Sequence, residues 1–404
     1  MNARYDVLVI GGGPSGSTAA TLLAARGARV LVLEREVFPR FHIGESLLPC
    51  DLDVFDRLGV DLSGQARHLR KDGAEFFDER TGDHAVYPFR DALTGTADHA
   101  WQVDRAAFDL ALLTGAQRAG AEVHQGEAVC AVEAGPSRVE VRTGRARYQA
   151  RYVVDASGQH ALLARQHRTK RSLRAFGLAA AFRHYADLRP ASVAALEATG
   201  NIRIHFVRRG WMWAIPLGQG RLSVGLVTRD KGLDDGWLDA ALGESPTLGP
   251  LLAGARPEGP TRRIGSYSFH NDRPAGARWV CVGDAACFLD PVFSSGVSFG
   301  MVGAAHAADA LVEALASGAE GDPDLMTAHG AWMHHAYTVF ATLIRELYRG
   351  GLVPEIFFTP EQDPELRRGL TSMLAGDVWR DDNALQNALC SSPRRRVDVR
   401  APPA

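Results

Sequence analysis

Cysteine is scarce in this sequence: Cys50, Cys130, Cys281, Cys287 and Cys390 are the only five in 404 residues. An odd, scattered set without paired spacing excludes a disulfide framework and a cysteine-ligated zinc site, and it fits a reducing, cytoplasmic compartment. Cys287 stands beside a strong motif and reads as a buried, inert thiol. Long apolar runs are also missing. None reaches the roughly 18 residues that suggest a membrane span. The first, Val7 to Ile10, runs at once into glycines, as a buried strand does and the apolar core of a secretory leader does not. Neither sign of charge dominates: 45 basic residues face 47 acidic ones, for a net charge of -2. A general nucleic-acid-binding surface is therefore not implied. No internal repeat and no long low-complexity linker interrupts the chain.

Apolar residues make up 46% of the chain and glycines number 42, which leaves ample material for a core and many tight turns. At this length two intimately packed domains are the default. Residues 5–10 read as a buried strand. Gly11 to Gly16 follow as GGGPSG, then an Ala-rich helix to about Arg26, and a second strand from Arg29 to Leu33 ending in Glu34. Strand, glycine turn, helix, strand and acid at this spacing form a dinucleotide-binding fingerprint. Gly11 permits the tight turn, Gly13 lets the backbone approach a pyrophosphate, and Gly16 lets the helix pack on the strand. The helix start at Pro14 and Ser15 faces the phosphates. Glu34, with Arg35 beside it, is placed to accept hydrogen bonds from an adenosine ribose. The fingerprint alone does not separate FAD from NAD, and a purely structural glycine turn is the alternative.

Two further strands end in small residues: Tyr152 to Asp155 before Ala156-Ser157-Gly158, and Trp279 to Val282 before Gly283-Asp284-Ala285. Asp284 at a strand end suits a ribityl or phosphate contact. A long Ala-rich helix, Val297 to Leu315, follows, and its N-terminus presents free N–H groups. Residues 45–58, 108–119, 325–349 and 364–375 read as helices, and 121–154 as consecutive strands. Residues 172–184, 201–208 and 221–228 read as a second, antiparallel sheet. The expected fold is α/β: a Rossmann-type domain (1–70, 100–165 and 270–320) interleaved with an antiparallel-sheet substrate domain (71–99 and 166–269). C-terminal helices and a tail fill 321–404. The tail, with Arg394, Arg395, Arg396 and Arg400, reads as a frayed, solvated end.

These motifs resemble the FAD-dependent superfamily of para-hydroxybenzoate hydroxylase, and within it the flavin-dependent halogenases of the phenol and pyrrole type. Three segments carry the resemblance: Phe41-His42-Ile43-Gly44-Glu45-Ser46-Leu47-Leu48-Pro49, Trp211-Met212-Trp213-Ala214-Ile215-Pro216, and Asp290-Pro291-Val292-Phe293-Ser294-Ser295-Gly296. The resemblance implies that FAD, as FADH2 from a separate flavin reductase, activates O2 as a flavin hydroperoxide. Chloride or bromide then becomes hypohalous acid, directed by a lysine that falls on Lys71. It further implies FAD contacts at Arg40, Gly44, Ser46, Arg105, Asp284, Pro291 and Gly296, with His42 in a positioning role. Halide is expected against Ser295 and Gly296. Glu45, Trp211, Trp213, Pro216 and Phe293 are expected on the substrate side or along a tunnel. Read from the residues alone, Lys71 is an exposed lysine, Glu45 a helix-start glutamate, Arg105 a surface ion pair, and the two tryptophans core. Phe293 occupies the position of a glutamate in free-tryptophan halogenases, which argues against tryptophan and for a phenolic or pyrrolic ring, free or held on a carrier protein. The alternatives are a flavin monooxygenase without halide chemistry, an FAD-dependent prenyl reductase, and a non-enzymatic FAD-binding protein.

Overall fold

A computed structural model of the chain describes residues 4–177, 179–230, 232, 234, 236–349, 357–359, 363–392 and 395–399. The first strand, β1 (Arg4–Ile10), is covered on both faces, which suits a parallel sheet buried between layers. The glycine turn leads into α1 (Pro14–Ala25), with Pro14 at the first helical position, and the chain returns as β2 (Val30–Glu34). Both β2 and β10 (Arg147–Asp155) pair parallel with β1, and β7 (Glu122–Gln125) pairs parallel with β2. The sheet continues from β10 to β19 (Trp279–Cys281) and β18 (Ala275–Gly276), while β8 (Val129–Ala134) and β9 (Val139–Thr143) form a hairpin off β10. Alternate residues split between two cores. Val7, Val9, Val30 and Val32 face one layer with Leu23 of α1. Leu8, Ile10, Leu31 and Leu33 face the other.

A second sheet has seven strands in the order β16 (Arg256–Gly265), β12 (Ala179–Ala186), β15 (Arg221–Thr228), β14 (Gly210–Gly218), β13 (Ile202–Val207), β4 (Gly73–Asp78), β5 (His84–Pro88). It is antiparallel except where β13 meets β4 in parallel. Small pairs complete the strands: β3 (His68–Lys71) with β6 (Ala100–Val103), and β11 (Lys170–Ser172), β17 (Phe269–Asn271) and β20 (Cys287–Phe288) in a three-stranded ribbon. The second sheet also sorts its faces by the period of two. Met212 and Ala214 pack toward α5 (Pro190–Glu197), α6 (Gly236–Glu244) and α7 (Leu248–Leu252), whereas Trp211, Trp213 and Ile215 face the large core shared with α9 (Thr327–Arg349).

Several boundaries differ from the sequence reading. The helix expected over 45–58 starts only at Pro49, as a single 3-10 turn continued by α2 (Leu52–Leu58). Ser46 instead forms a β-bridge with Gln102, so Glu45 is not a helix-start residue. α3 spans Arg105–Arg118, because the Asp104 carboxylate accepts hydrogen bonds from the N–H groups of Ala106 and Ala107 and fixes the start earlier. α4 (Leu162–Gln166) adds a short turn after the third strand end. α8 (Ser295–Ser317) is long and apolar enough to cross a membrane by composition alone; here it is a core helix packed against α1 and α9. The tail is not simply solvated. Val399 is buried in the large core, and the Val397 N–H donates to Thr342 Oγ1 at 3.0 Å. Arg394 and Arg400 lie outside the described residues.

Candidate active site

The C-terminal ends of β1 and β2 open onto a cavity of about 840 Å³ that runs from the glycine turn to the second sheet. That is the position where open parallel sheets bind ligands, and the volume is of the order expected for a cofactor site. Gly11 holds φ +100°, and a Cβ there would lie 2.4 Å from the carbonyl oxygen of Ala156. Gly13 differs: a Cβ would meet only Arg40 Nη2, 3.6 Å away, so the space in front of it is left for a ligand. The Glu34 carboxylate accepts from the Gly12 N–H at 2.6 Å and the Glu36 N–H at 2.8 Å, and it borders the same cavity. Glu34 thus ties the turn to the second strand while facing the ligand space. Pro14, Ser15 and Arg35 also border it. A backbone cradle, a helix N-terminus and a buried carboxylate on the next strand fit the adenosine and pyrophosphate of FAD.

Loop 40–51 forms the next wall, and buried charges hold it. Arg105 is 4% exposed; its Nε and Nη2 donate to the two oxygens of Asp109 at 2.7 and 2.9 Å, and its Nη1 donates to the Ile43 carbonyl at 2.6 Å. Arg40 donates to the same Asp109 at 2.8 Å. The surface ion pair is therefore replaced by a buried Arg–Asp–Arg cluster. Desolvation is the largest influence on Asp109, yet Arg105 and Arg40 outweigh it and keep its carboxyl below the usual range. Arg40, His42, Gly44, Ser46 and Arg105 all reach the cavity.

Glu45 crosses from this loop to the second sheet. Its Oε1 lies 2.6 Å from His184 Nε2, and its Oε2 accepts from Ser223 Oγ at 3.2 Å. Ser223 Oγ in turn accepts from Trp213 Nε1 at 3.2 Å. The Trp213 ring lies flat on β15 because residue 225 is glycine; a Cβ there would come within 2.2 Å of the ring. Trp213 borders the cavity with Ile215. Trp211 and Pro216 do not: Trp211 packs in the core and donates to Tyr348 Oη at 3.0 Å, and Pro216 sits where the β14–β15 register shifts.

Lys71 ends β3 and is 1% exposed, not a surface lysine. Its Nζ donates to Ser46 Oγ at 2.9 Å and to the Leu47 carbonyl at 2.8 Å, and sits 5.3 Å from the Phe89 ring centre. Ser46 borders the cavity, so Lys71 stands directly behind its wall. Desolvation lowers the ammonium to about 7, against the partial support of Asp51. Asp51 is fully buried, accepts from Ser298 Oγ at 2.5 Å, and is pushed up to about 7 by the same desolvation.

At the far end of the cavity stand Asp284, Pro291 and Gly296. Asp284 accepts from Gln159 Nε2 at 3.0 Å, and burial lifts its carboxyl to about 6. Asp290 accepts from the N–H groups of Gly177 and Val292 at 3.0 and 3.1 Å and from Tyr348 Oη at 2.8 Å, which fixes the turn into α8. Ser294 takes the left-handed conformation at φ +59°, so α8 begins abruptly at Ser295. Phe293 points away from the cavity and packs on Phe340 and Phe357, with ring centres 6.2 and 6.4 Å apart. Ser295 does not border the large cavity; it faces a separate small void on the α9 side of the helix. Asp51, Asp109, His184, Ser223, Tyr348 and Ser298 were not singled out from sequence. Only Asp109 carried a local signal, its spacing of four from Arg105 on one helix.

A family model described as Tryptophan halogenase matches residues 90–351, and one described as FAD dependent oxidoreductase matches residues 6–169. The chain is similar to the 1H-pyrrole-2-carbonyl-(peptidyl-carrier protein) chlorinase of Pseudomonas fluorescens, at 30% identity over 93% of this chain and 90% of the relative. Among solved structures it is similar to a flavoprotein/dehydrogenase from Cytophaga hutchinsonii, with TM-score 0.87 and 27% identity over 95% of this chain and 96% of that one. It is also similar to the flavin-dependent brominase Bmp2, with TM-score 0.80 and 26% identity over 96% of this chain and 97% of that one. The two sheets enclosing a dinucleotide cradle and these matches agree: the chain belongs to the flavin-dependent halogenase family and is an FAD-dependent oxidoreductase.

Proposed function

We propose that the enzyme halogenates an electron-rich phenolic or pyrrolic ring, using FADH2 from a separate flavin reductase, O2 and chloride or bromide, with Lys71 directing the halogen. FAD, when bound, supplies the activation of dioxygen that converts halide into an electrophilic halogen. The chain's own groups do the rest. The glycine turn and Glu34 would hold the adenosine end, and Asp284 the ribityl end. Glu45 locks the cavity wall to the second sheet and keeps Trp213 in place, excluding water from the reacting side. The observation that carries the reading is the Lys71 amine, sealed behind Ser46 and held near a pKa of about 7 by burial. Near neutral pH such an amine populates both the ammonium, which donates a hydrogen bond to hypohalous acid, and the free base, which accepts its halogen. The pyrrole-2-carbonyl substrate named for the Pseudomonas relative supports a ring carried on a carrier protein. We place the enzyme in the cytoplasm, since none of the five cysteines is paired in a disulfide and Cys130 is exposed.

The test is parallel measurement of oxygen uptake with reduced flavin and of product mass, for wild type and Lys71→Ala, Lys71→Met and Lys71→Arg. Alanine and methionine should bind FAD and consume oxygen yet lose halogenated product by 10²-fold or more, on the order of a removed general acid. Arginine should not restore it, because it cannot give up its proton. Near-wild-type halogenation by Lys71→Ala would reject the lysine. Hydroxylated product from wild type in ample halide would reject halogenation and favour a monooxygenase.

A further inference from the structure

Trp211 is the motif residue that the proposed chemistry leaves over. The period of two puts it on the same face of β14 as Trp213, with ring centres 6.0 Å apart, but of the two only Trp213 borders the cofactor cavity. Trp211 is 1% exposed, and its indole N–H, which a buried tryptophan must place, goes to Tyr348 Oη at 3.0 Å. Tyr348 stands near the end of α9 and is partly exposed, with the exposed Arg229 guanidinium 5.7 Å from its ring centre. Its own phenolic proton goes to Asp290 Oδ2 at 2.8 Å. Asp290 is buried, and the N–H groups of Gly177 and Val292 are its other donors; no cation supports it among the described residues. Burial lifts its carboxyl to about 6, so near neutral pH it is mostly ionised. A buried carboxylate without a counter-ion is one that a proton would relieve. Cavity wall, two indoles, a phenol and a proton acceptor thus stand in contact in that order, and the line ends where the fold meets solvent.

We infer that Trp213, Trp211 and Tyr348 form a one-electron relay, which carries stray oxidising equivalents out of the cofactor cavity to the Tyr348 phenol. The relay needs FAD in the cavity but no halide and no ring substrate, so it goes beyond the halogenation reading. A one-electron oxidant formed at the flavin takes an electron from the Trp213 indole. Trp211 then gives an electron to Trp213, and Tyr348 gives one to Trp211 while its phenolic proton passes to the Asp290 carboxylate. At that point the oxidant has gained one electron, both indoles are restored, and Tyr348 is a neutral radical beside a protonated Asp290. A phenol that loses its electron and proton together is easier to oxidise than an indole that loses an electron alone, so the carboxylate gives the chain its direction. A thiol from solvent closes the cycle: it gives a hydrogen atom to the phenoxyl oxygen and leaves as a thiyl radical, and Asp290 releases its proton. Oxidation is thereby drawn away from Lys71 and Trp213, the side chains on which the cavity depends.

Light supplies the oxidant in a defined form, because excited oxidised FAD takes one electron from a neighbouring indole. Flash excitation of the FAD-bound enzyme, followed by transient absorption and by electron paramagnetic resonance of samples frozen under illumination, should show a tyrosyl radical in wild type. Tyr348→Phe keeps the ring and removes the phenol, and Trp211→Phe keeps an aromatic side chain and removes the middle step. Thermal melting and FAD titration establish that both variants fold and bind the cofactor. In each the tyrosyl signal should be lost, and only a tryptophan radical that recombines quickly with the flavin should remain. During turnover with reduced flavin and oxygen but no halide, Tyr348→Phe should also accumulate several-fold more oxygen addition at Trp211 and Trp213, read by peptide mass spectrometry. A tyrosyl signal that survives in Tyr348→Phe or in Trp211→Phe, or none in wild type with FAD bound, overturns the relay. Absence of halogenated product from wild type would instead strike the functional reading, on which the radical does not depend.

Discussion

At Gly13 the backbone has ordinary extended geometry, φ -71° and ψ -175°, so a side chain there strains nothing. Only the ligand space suffers, because an added Cβ points into a gap whose nearest protein atom is Arg40 Nη2 at 3.6 Å. Gly13→Val should therefore fold with near-wild-type stability in the absence of FAD, yet bind FAD at least about 10-fold more weakly. Gly11→Val should fail earlier, since it must accept φ +100° and a 2.4 Å clash with Ala156. Flavin fluorescence titration with thermal melting of the apo-protein separates the two outcomes. Equal FAD affinity for wild type and Gly13→Val would remove the pyrophosphate from this turn. These glycines were legible because a turn of fixed spacing states its geometry locally. The partners of the buried charges were not. Glu45 and His184 are 139 positions apart, and nothing in either neighbourhood announces that they meet.

Loop 40–51 is the element on which the site turns, and it brings together two buried ionisable groups of opposite kind. Lys71 under it falls to about 7, and Asp51 at its end rises to about 7. The signs differ in consequence. Between pH 7 and the ordinary lysine range the unfolded chain binds the proton that folded Lys71 has released, so this group makes the fold more stable as pH rises. Between the ordinary aspartate range and pH 7 folded Asp51 keeps a proton that the unfolded chain releases, so its contribution is lost as pH rises through 7. Asp51→Asn should then raise stability at pH 8 by about 1 kcal/mol or more beyond its effect at pH 5, because the loss that the buried carboxyl causes grows up to pH 7. It also removes the charge that supports the Lys71 ammonium. The lysine should titrate lower, and any limb of the halogenation pH profile that reports it should move to lower pH. Urea unfolding at the two pH values and a pH–rate profile check both. A pH-independent stability difference, or an unmoved limb, would mean that the two groups are not coupled through this loop. The sequence read the loop as helix because Leu47, Leu48, Leu52 and Phe55 fall at helical spacing. Pro49 and the Ser46–Gln102 bridge overrule that period for its first third.

Over the whole molecule, the strands read over 5–10, 29–33 and 121–154, and those over 172–184, 201–208 and 221–228, were enough to separate two sheets, and the fold class was legible on that ground. What periodicity does not carry is the packing of the C-terminal end. The basic tail, with Arg395 and Arg396 exposed, reads as solvated, yet Val399 is 3% exposed and belongs to the core that also holds Trp211, Phe293 and Phe340. Two apolar residues among arginines are too few to register as a pattern, but each finds a place against α9. Val397 donates its N–H to Thr342, and Asp398 lies 3.4 Å from His334. Burying one valine contributes about 1.5–3 kcal/mol. Removal of residues 392–404 should therefore lower the unfolding free energy by about 2–4 kcal/mol, a sum of that burial and of one lost hydrogen bond. The loss should fall on α9 rather than on the glycine turn at the opposite sheet. The truncated enzyme is expected to bind FAD as tightly as the full chain at low temperature, while its midpoint in urea drops. Unchanged urea stability would return the tail to solvent. A loss of FAD affinity matching the loss of stability would mean instead that the two sheets and the C-terminal helices unfold as one unit.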